Sequence, residues 1–299
     1  MCHFYRCQAL IVLSVTCYFL NLAVSIGADL AFSVVFDIGV TKHRDSGAFY
    51  QGEPIWVRAD IRRQAKGAET EMGLIRLGTR SLPWDGSLSF AVYSVEEKPT
   101  QPTNETTRGK APLNDIPLEQ LEPRSEKYEL GTNEILRSFW AISPNITSNL
   151  PAGRYLIQAL FDTTDKRETH PEMLHIRLMS SEVPVVLGER PSDGSADVDI
   201  IKAQARYFGH RNKYDEEIAL LEQVGRLDPA RQEVHCRMGR AYELKGDLHA
   251  AIKEYRTYVE WARRQPKTGE DGLRDHADVI ESTITALETR VKNVKQNKP

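Results

Sequence analysis

Over residues 29 to about 190 the apolar and polar positions alternate in short runs. From Pro54 to Ile61, the apolar Ile55, Val57, Ala59 and Ile61 alternate with Trp56, Arg58 and Asp60. From Leu88 to Val95, Leu88, Phe90 and Val92 alternate with Ser89, Ala91 and Tyr93. A period of two places successive side chains on opposite faces of a strand, one buried and one wetted. Further runs at Leu30–Ile38, Leu74–Leu77, Ile135–Ile142, Arg154–Phe161, Leu174–Met179 and Val183–Leu187, with turn residues between them, predict a β-sandwich over 29–189. Between Glu96 and Thr132 the pattern lapses: Pro99, Pro102, Pro112, Pro117 and Pro123 lie among many Thr, Glu and Asn residues. This predicts an exposed insertion over 96–132, with a short helical turn at Leu118–Leu121.

A Pro/Ser/Gly/Asp-rich stretch, Arg190 to Ala196, marks a linker at 190–197, after which the period changes from 2 to 3.6. The last helix, from about Gly272 to Val294, carries one apolar stripe: Leu273, Ala277, Ile280, Ile284, Leu287, Val291 and Val294. Such a stripe suits a helix covering the open end of a helical stack, so 266–299 is read as a capping helix and tail. A coiled-coil dimer seam is the alternative.

Two local patterns resemble known families. In Leu150-Pro151-Ala152-Gly153-Arg154-Tyr155, Gly153 and Tyr155 resemble the tyrosine corner of immunoglobulin-like sandwiches. The resemblance implies a glycine that allows a tight corner and a tyrosine hydroxyl bonded back to upstream backbone. In the helical half, Met238-Gly239, Tyr242, Ala251 and Tyr255 resemble the tetratricopeptide repeat, a 34-residue pair of helices. His235 and Tyr258 depart from that pattern. A weaker upstream copy is framed by Pro229, with Phe208 aligned to Tyr242 and Leu221 to Tyr255; there Glu217 takes the small-residue place. The resemblance implies two repeats over 198–265, with small residues allowing close helix approach. It also implies a groove lined by the first helix of each repeat. Carried across, the groove places are Lys202, Arg206 and His210, then Arg237, Arg240 and Glu243. Their excess of cations implies an acidic peptide or C-terminal carboxylate as ligand; a solvated face with incidental charge is the plainer alternative.

Charge and cysteines narrow the function classes. The 299 residues hold 39 Lys and Arg against 42 Asp and Glu, for a net charge of −3. That balance argues against a nucleic-acid binder, which needs a basic surface to displace counterions from phosphates. Before Asp29, Arg6 is the only formal charge, the run Ala9–Ala28 is almost wholly apolar, and Ala23, Ser25, Gly27 and Ala28 are small. A basic start, apolar middle and small-residue end predict a secretory signal over 1–28, cut after Ser25 or after Gly27. An uncleaved anchor is the alternative, and would be the chain's one membrane contact. In both cases the remainder is exported, to a periplasm or the extracellular space. Cys2, Cys7 and Cys17 sit in the leader, so the mature chain keeps only Cys236 and has no intrachain disulfide.

No nucleophile elbow, phosphate-binding glycine loop or paired metal-ligand motif is present. His170 and His175, flanked by Glu168 and Glu172, lack a metal-ligand spacing and are read as solvated loop residues. The acceptor patterns Asn104-Glu105-Thr106 and Asn145-Ile146-Thr147 matter for glycosylation only in a eukaryotic host. No cofactor or metal is expected. The reading is an all-β immunoglobulin-like sandwich followed by an all-α repeat, serving as a non-enzymatic adaptor for another protein or peptide. A carbohydrate- or cell-wall-binding sandwich using Trp84 as an exposed platform is the alternative, and an enzyme with a site between the domains is a third.

Overall fold

The computed structural model describes residues 32–41, 48–65, 74–79, 81–96, 109–113, 116–121, 129–131, 134–265 and 272–296. The expected secretory signal over 1–28, with Cys2, Cys7 and Cys17, and the acceptor pattern at Asn104 lie outside the described residues. The chain divides between Arg190 and Pro191 into a β-rich unit and a helical unit.

The β-rich unit contains β1 (Phe32–Thr41), β2 (Phe49–Tyr50), β3 (Ile55–Ala65), β4 (Ile75–Arg76), β5 (Leu88–Glu96), β6 (Gly109–Leu113), β7 (Leu118–Gln120), β8 (Glu129–Leu130), β9 (Ile135–Ile142), β10 (Gly153–Asp162), β11 (Arg177–Met179) and β12 (Val183–Gly188). One sheet has the order β1-β3-β9-β7, a second β2-β12-β10-β5-β6 with β11 also on β10, and β4 and β8 form a small ribbon. The period-2 pattern is used directly. Val57, Ala59 and Ile61 of β3 are fully buried. On the opposite face, Asp60 lies 3.1 Å from Arg58 and 2.8 Å from Arg137. Phe36, Ala59, Ile61 and Leu136 of the first sheet share a core with Ala159, Phe161 and Leu178 of the second. Burying each such aliphatic or aromatic side chain contributes about 1.5–3 kcal/mol.

Between Ile157↔Val183 and Leu160↔Met179, β12 and β11 carry one residue more than β10 does, which is a β-bulge. Ser180 closes the gap in the ladder: its Oγ accepts from Ala159 N at 2.9 Å, and its N donates to Ala159 O at 2.9 Å.

Several sequence expectations are corrected here. The 96–132 segment is not wholly an exposed insertion, because Gly109–Leu113 pairs with β5 and Leu118–Gln120 pairs with β9. Leu121 and Leu130 are buried. The expected helical turn at Leu118–Leu121 is therefore strand; the apolar pair at i and i+3 imitates a helical spacing. Pro112 is tolerated because β6 is an edge strand and needs no second ladder bond there. Where a tyrosine corner is expected, Tyr155 Oη donates to Pro151 O at 2.5 Å. Gly153 has no positive φ, and an added Cβ would meet nothing nearer than Tyr155 at 4.0 Å, so the corner does not require glycine. Asn145 is exposed on α1 (Pro144–Asn149), but Thr147 is buried and its hydroxyl donates to Pro144 O at 3.1 Å.

The helical unit contains α2 (Asp197–His210), α3 (Tyr214–Leu227), α4 (Val234–Lys245), α5 (Leu248–Arg264) and α6 (Gly272–Gln296). Consecutive helices pack on one another. The connections after α2 and α4 are so short that each pair is an antiparallel hairpin. The two turns repeat after 34 positions: Asn212 (φ 57°) in the first matches Gly246 (φ 90°) in the second. Both are residue types suited to the left-handed region. Asp247 caps α5, its carboxylate accepting from Ala250 N at 3.1 Å. Pro229 follows the end of α3 and cannot continue it; its carbonyl accepts from Gln232 Nε2 at 2.6 Å.

Leu221 and Met238 belong to one core with Ile201, Ala205, Val224 and Val234, and Ala251 and Tyr255 to a second; Tyr242 packs against both. Phe208 is half-buried, edge-on to Tyr207 at 5.3 Å. The α6 stripe covers α5 through the buried Ala277, Ile280, Ile284 and Leu287, with Leu273 half-buried and Val291 packed at the margin. The side chain of Val294 lies outside the described set. Cys236 is half-buried against the same core. Among the described residues, no helix is long and apolar enough to cross a membrane.

Candidate functional site

The first helices of the two hairpins bring four of the six groove residues together. Arg206 and His210 stand four apart on α2, and Arg237 and Arg240 three apart on α4, so each pair shares a helix face. Burial, followed by the positive charges of Arg206, Arg237 and Arg240, lowers the pKa of His210 to about 4. The imidazole is therefore neutral at ordinary pH and sits among three guanidinium groups.

Two of the six are held by carboxylates of neighbouring elements. Lys202 reaches away to Glu233 at 3.3 Å. Arg237 donates from Nε to Glu217 Oε1 at 2.7 Å, and the Glu217 carboxylate is nearly buried. These two corrections reduce the cationic surface expected from helix spacing alone, because neighbouring elements supply carboxylates the spacing does not show. Glu243 accepts from Tyr255 Oη at 3.0 Å. Burial, then that bond, pushes the Tyr255 hydroxyl well above its ordinary pKa. Arg240 is exposed, with no ion pair among the described residues. Its charge acts on both His210 and Tyr255.

Helix spacing alone does not show how Glu217 is accommodated. A Cβ at Gly209 would collide with the Glu217 carboxylate, so the bare backbone of Gly209 makes room for it. The second hairpin reverses the arrangement: Glu243 stands at the place of Gly209, and Ala251 at that of Glu217. By position, each hairpin thus has one acidic residue and one small residue at matching places on its two helices. The signal was the acidic residue at a small-residue place, read with its partner across the turn. Chemically, planar guanidinium groups can pair with a carboxylate; here Glu217 holds Arg237 and Glu243 holds Tyr255.

His210 makes stability depend on pH. Its folded pKa lies below its ordinary 6.5, so the unfolded chain binds the proton more readily. The stabilisation is complete above pH 6.5 and is lost as pH falls through 4. His276, whose pKa is also lowered by burial, shares the direction. Allowing for solvent screening, the His210 contribution is on the order of 1 kcal/mol. In urea unfolding at several pH values across that window, His210→Gln is expected to lose less stability than the parent.

The alternative platform is overturned. Trp84 is fully buried, with its ring 6.4 Å from that of Phe161. His170 Nδ1 lies 3.4 Å from Glu172, and His175 Nδ1 pairs with Thr163 O at 3.1 Å. No group of three or more metal-ligating side chains exists among the described residues.

No protein-family model matches the chain, and no curated protein matches it. Among solved structures it is similar to MamA AMB-1, at 19% identity over 32% of this chain, with a TM-score of 0.23. The chain spans 61% of that protein's length. It is also similar to AvmM, described as catalysing macrocyclization in alchivemycin A biosynthesis, at 12% identity over 55% of this chain and 92% of that one, with a TM-score of 0.22. TM-scores this low carry no argument about function.

Proposed function

We propose that this chain is an exported, non-enzymatic adaptor whose helical unit docks an acidic segment of another protein. In this reading α2–α5 are two tetratricopeptide-type repeats closed by α6. The β-rich unit is an immunoglobulin-like sandwich acting as spacer or second contact surface. Export rests on the basic, apolar and small-residue pattern of residues 1–28. Docking of this kind needs no cofactor or metal.

One observation carries the proposal: Arg206, Arg237 and Arg240 converge from the first helices of consecutive hairpins around a neutral His210. Arg237 is held by Glu217 and Arg240 is exposed, so in this reading Arg240 makes the principal contact with a carboxylate and the charge of Arg206 adds to it. Each charge-assisted hydrogen bond contributes about 1.5 kcal/mol. Replacing both, Arg206→Glu with Arg240→Glu, is therefore expected to weaken binding of a labelled oligo-glutamate peptide about 100-fold. Fluorescence anisotropy reads the effect, and added salt weakens the parent's binding in the same direction. An unchanged Kd in the double variant would contradict the proposal.

A further inference from the structure

A second feature of the helical unit lies away from the groove arginines. A cleft of about 310 Å³ opens between α3 and α4, and its floor is formed by Leu221, Val234 and Met238, all buried. Its wall includes Gly225, where an added Cβ would meet no atom within 4 Å. Glycine is costly inside a helix, and neither a positive φ nor a close neighbour requires it here. In the second hairpin, 34 positions on, the same place holds Val259, which is 6% exposed and packed in the core shared by α5 and α6. The seam between α3 and α4 therefore lacks the branched side chain that fills the seam between α5 and α6.

The rim carries both signs of charge. Arg226 is exposed, with no ion pair among the described residues. Arg231 is held by Asp228 at 3.0 Å, and His235 by Glu254 at 2.6 Å. Glu222 is the one acidic group lining the cleft.

We propose that this cleft receives a branched aliphatic side chain from a partner protein, in a segment whose following residue is acidic and meets Arg226. The incoming side chain occupies the space that Val259 fills in the second hairpin. The complementary charge at the rim sets the direction of the segment. This contact is separate from the arginine groove and stands whether or not that groove binds an acidic ligand.

The methionine methyl groups of the full chain, labelled with carbon-13, give a direct readout. Met238 lies in the floor of the cleft, while Met173 and Met179 belong to the β-rich unit and serve as internal references. The probe is acetyl-Leu-Asp-amide, with acetyl-Ser-Asp-amide as its control. The Met238 signal is expected to shift saturably with the leucine probe and not with the serine probe, while Met173 and Met179 stay in place. Gly225→Val fills the cleft: it should abolish the shift and leave the thermal midpoint of the helical unit equal or higher. Gly225→Ala, a milder filling, should weaken the shift. Absence of a saturable Met238 shift, or an equal shift in a folded Gly225→Val protein, would overturn the proposal.

Discussion

Replacing Trp84 with alanine is expected to lower the unfolding free energy of the β-rich unit by about 3–5 kcal/mol, the range for removing a large aromatic from a core. The indole is fully buried in a cluster with Phe36, Leu77, Leu130 and Phe161. The turn that carries it is equally constrained. A Cβ at Gly78 would come within 2.6 Å of Trp84 N and 2.8 Å of Leu82 O. Thr79 N donates to Leu82 O at 2.7 Å, and Gly86 N to Pro83 O at 2.9 Å. The Trp84 indole N–H has no acceptor among the described residues, so Trp84→Phe keeps most of the packing and loses no hydrogen bond. Urea unfolding followed by circular dichroism separates the two variants. A tryptophan serving as a sugar platform would behave differently: its alanine variant would keep full stability and lose only glycan affinity.

The second large effect is expected at Gly239. A Cβ there would lie 2.6 Å from Cδ1 and 2.7 Å from Cε1 of Tyr255. The ring cannot retreat freely, because Tyr255 is buried and its hydroxyl is held by Glu243. Gly239→Val therefore forces α4 and α5 apart or drives Tyr255 from its position. The cost is roughly 2–3 kcal/mol of overpacking, read as a lower midpoint in thermal melts of the helical signal. The contrast with Gly225, where the space is open, makes the comparison informative: the same substitution lowers the midpoint at Gly239 and does not lower it at Gly225.

The legible parts of the fold were those whose pattern is local. The run Ile55–Ile61 lies within β3, with Ile55, Val57, Ala59 and Ile61 all buried, as its alternation requires. The stripe from Ala277 to Leu287 is buried as its spacing requires. Trp84 was misread because Leu82-Pro83-Trp84-Asp85-Gly86 carries turn chemistry, and turns are usually exposed. Its burial comes from Phe161, far along the chain, which no local pattern reveals. The strands at Gly109–Leu113 and Leu118–Gln120 were hidden for the same reason: each is short, rich in proline or charge, and made by its partner strand. Among the expected groove residues, spacing places Arg206 with His210 on one face of α2 and Arg237 with Arg240 on one face of α4. It could not show that Glu217 from α3 would claim Arg237 or that Glu233 would claim Lys202, because ion pairs between elements depend on packing rather than on period.

The central claim is that Arg206 and Arg240 hold a partner protein. Affinity purification of the full chain, beside the Arg206→Glu/Arg240→Glu variant and a control reversing the exposed Lys253 and Lys292 on α5 and α6, tests it most directly. The account predicts a co-purifying protein with an acidic segment, retained by the parent and the lysine control and lost from the arginine variant. Equal recovery of every co-purifying protein from all three would contradict it.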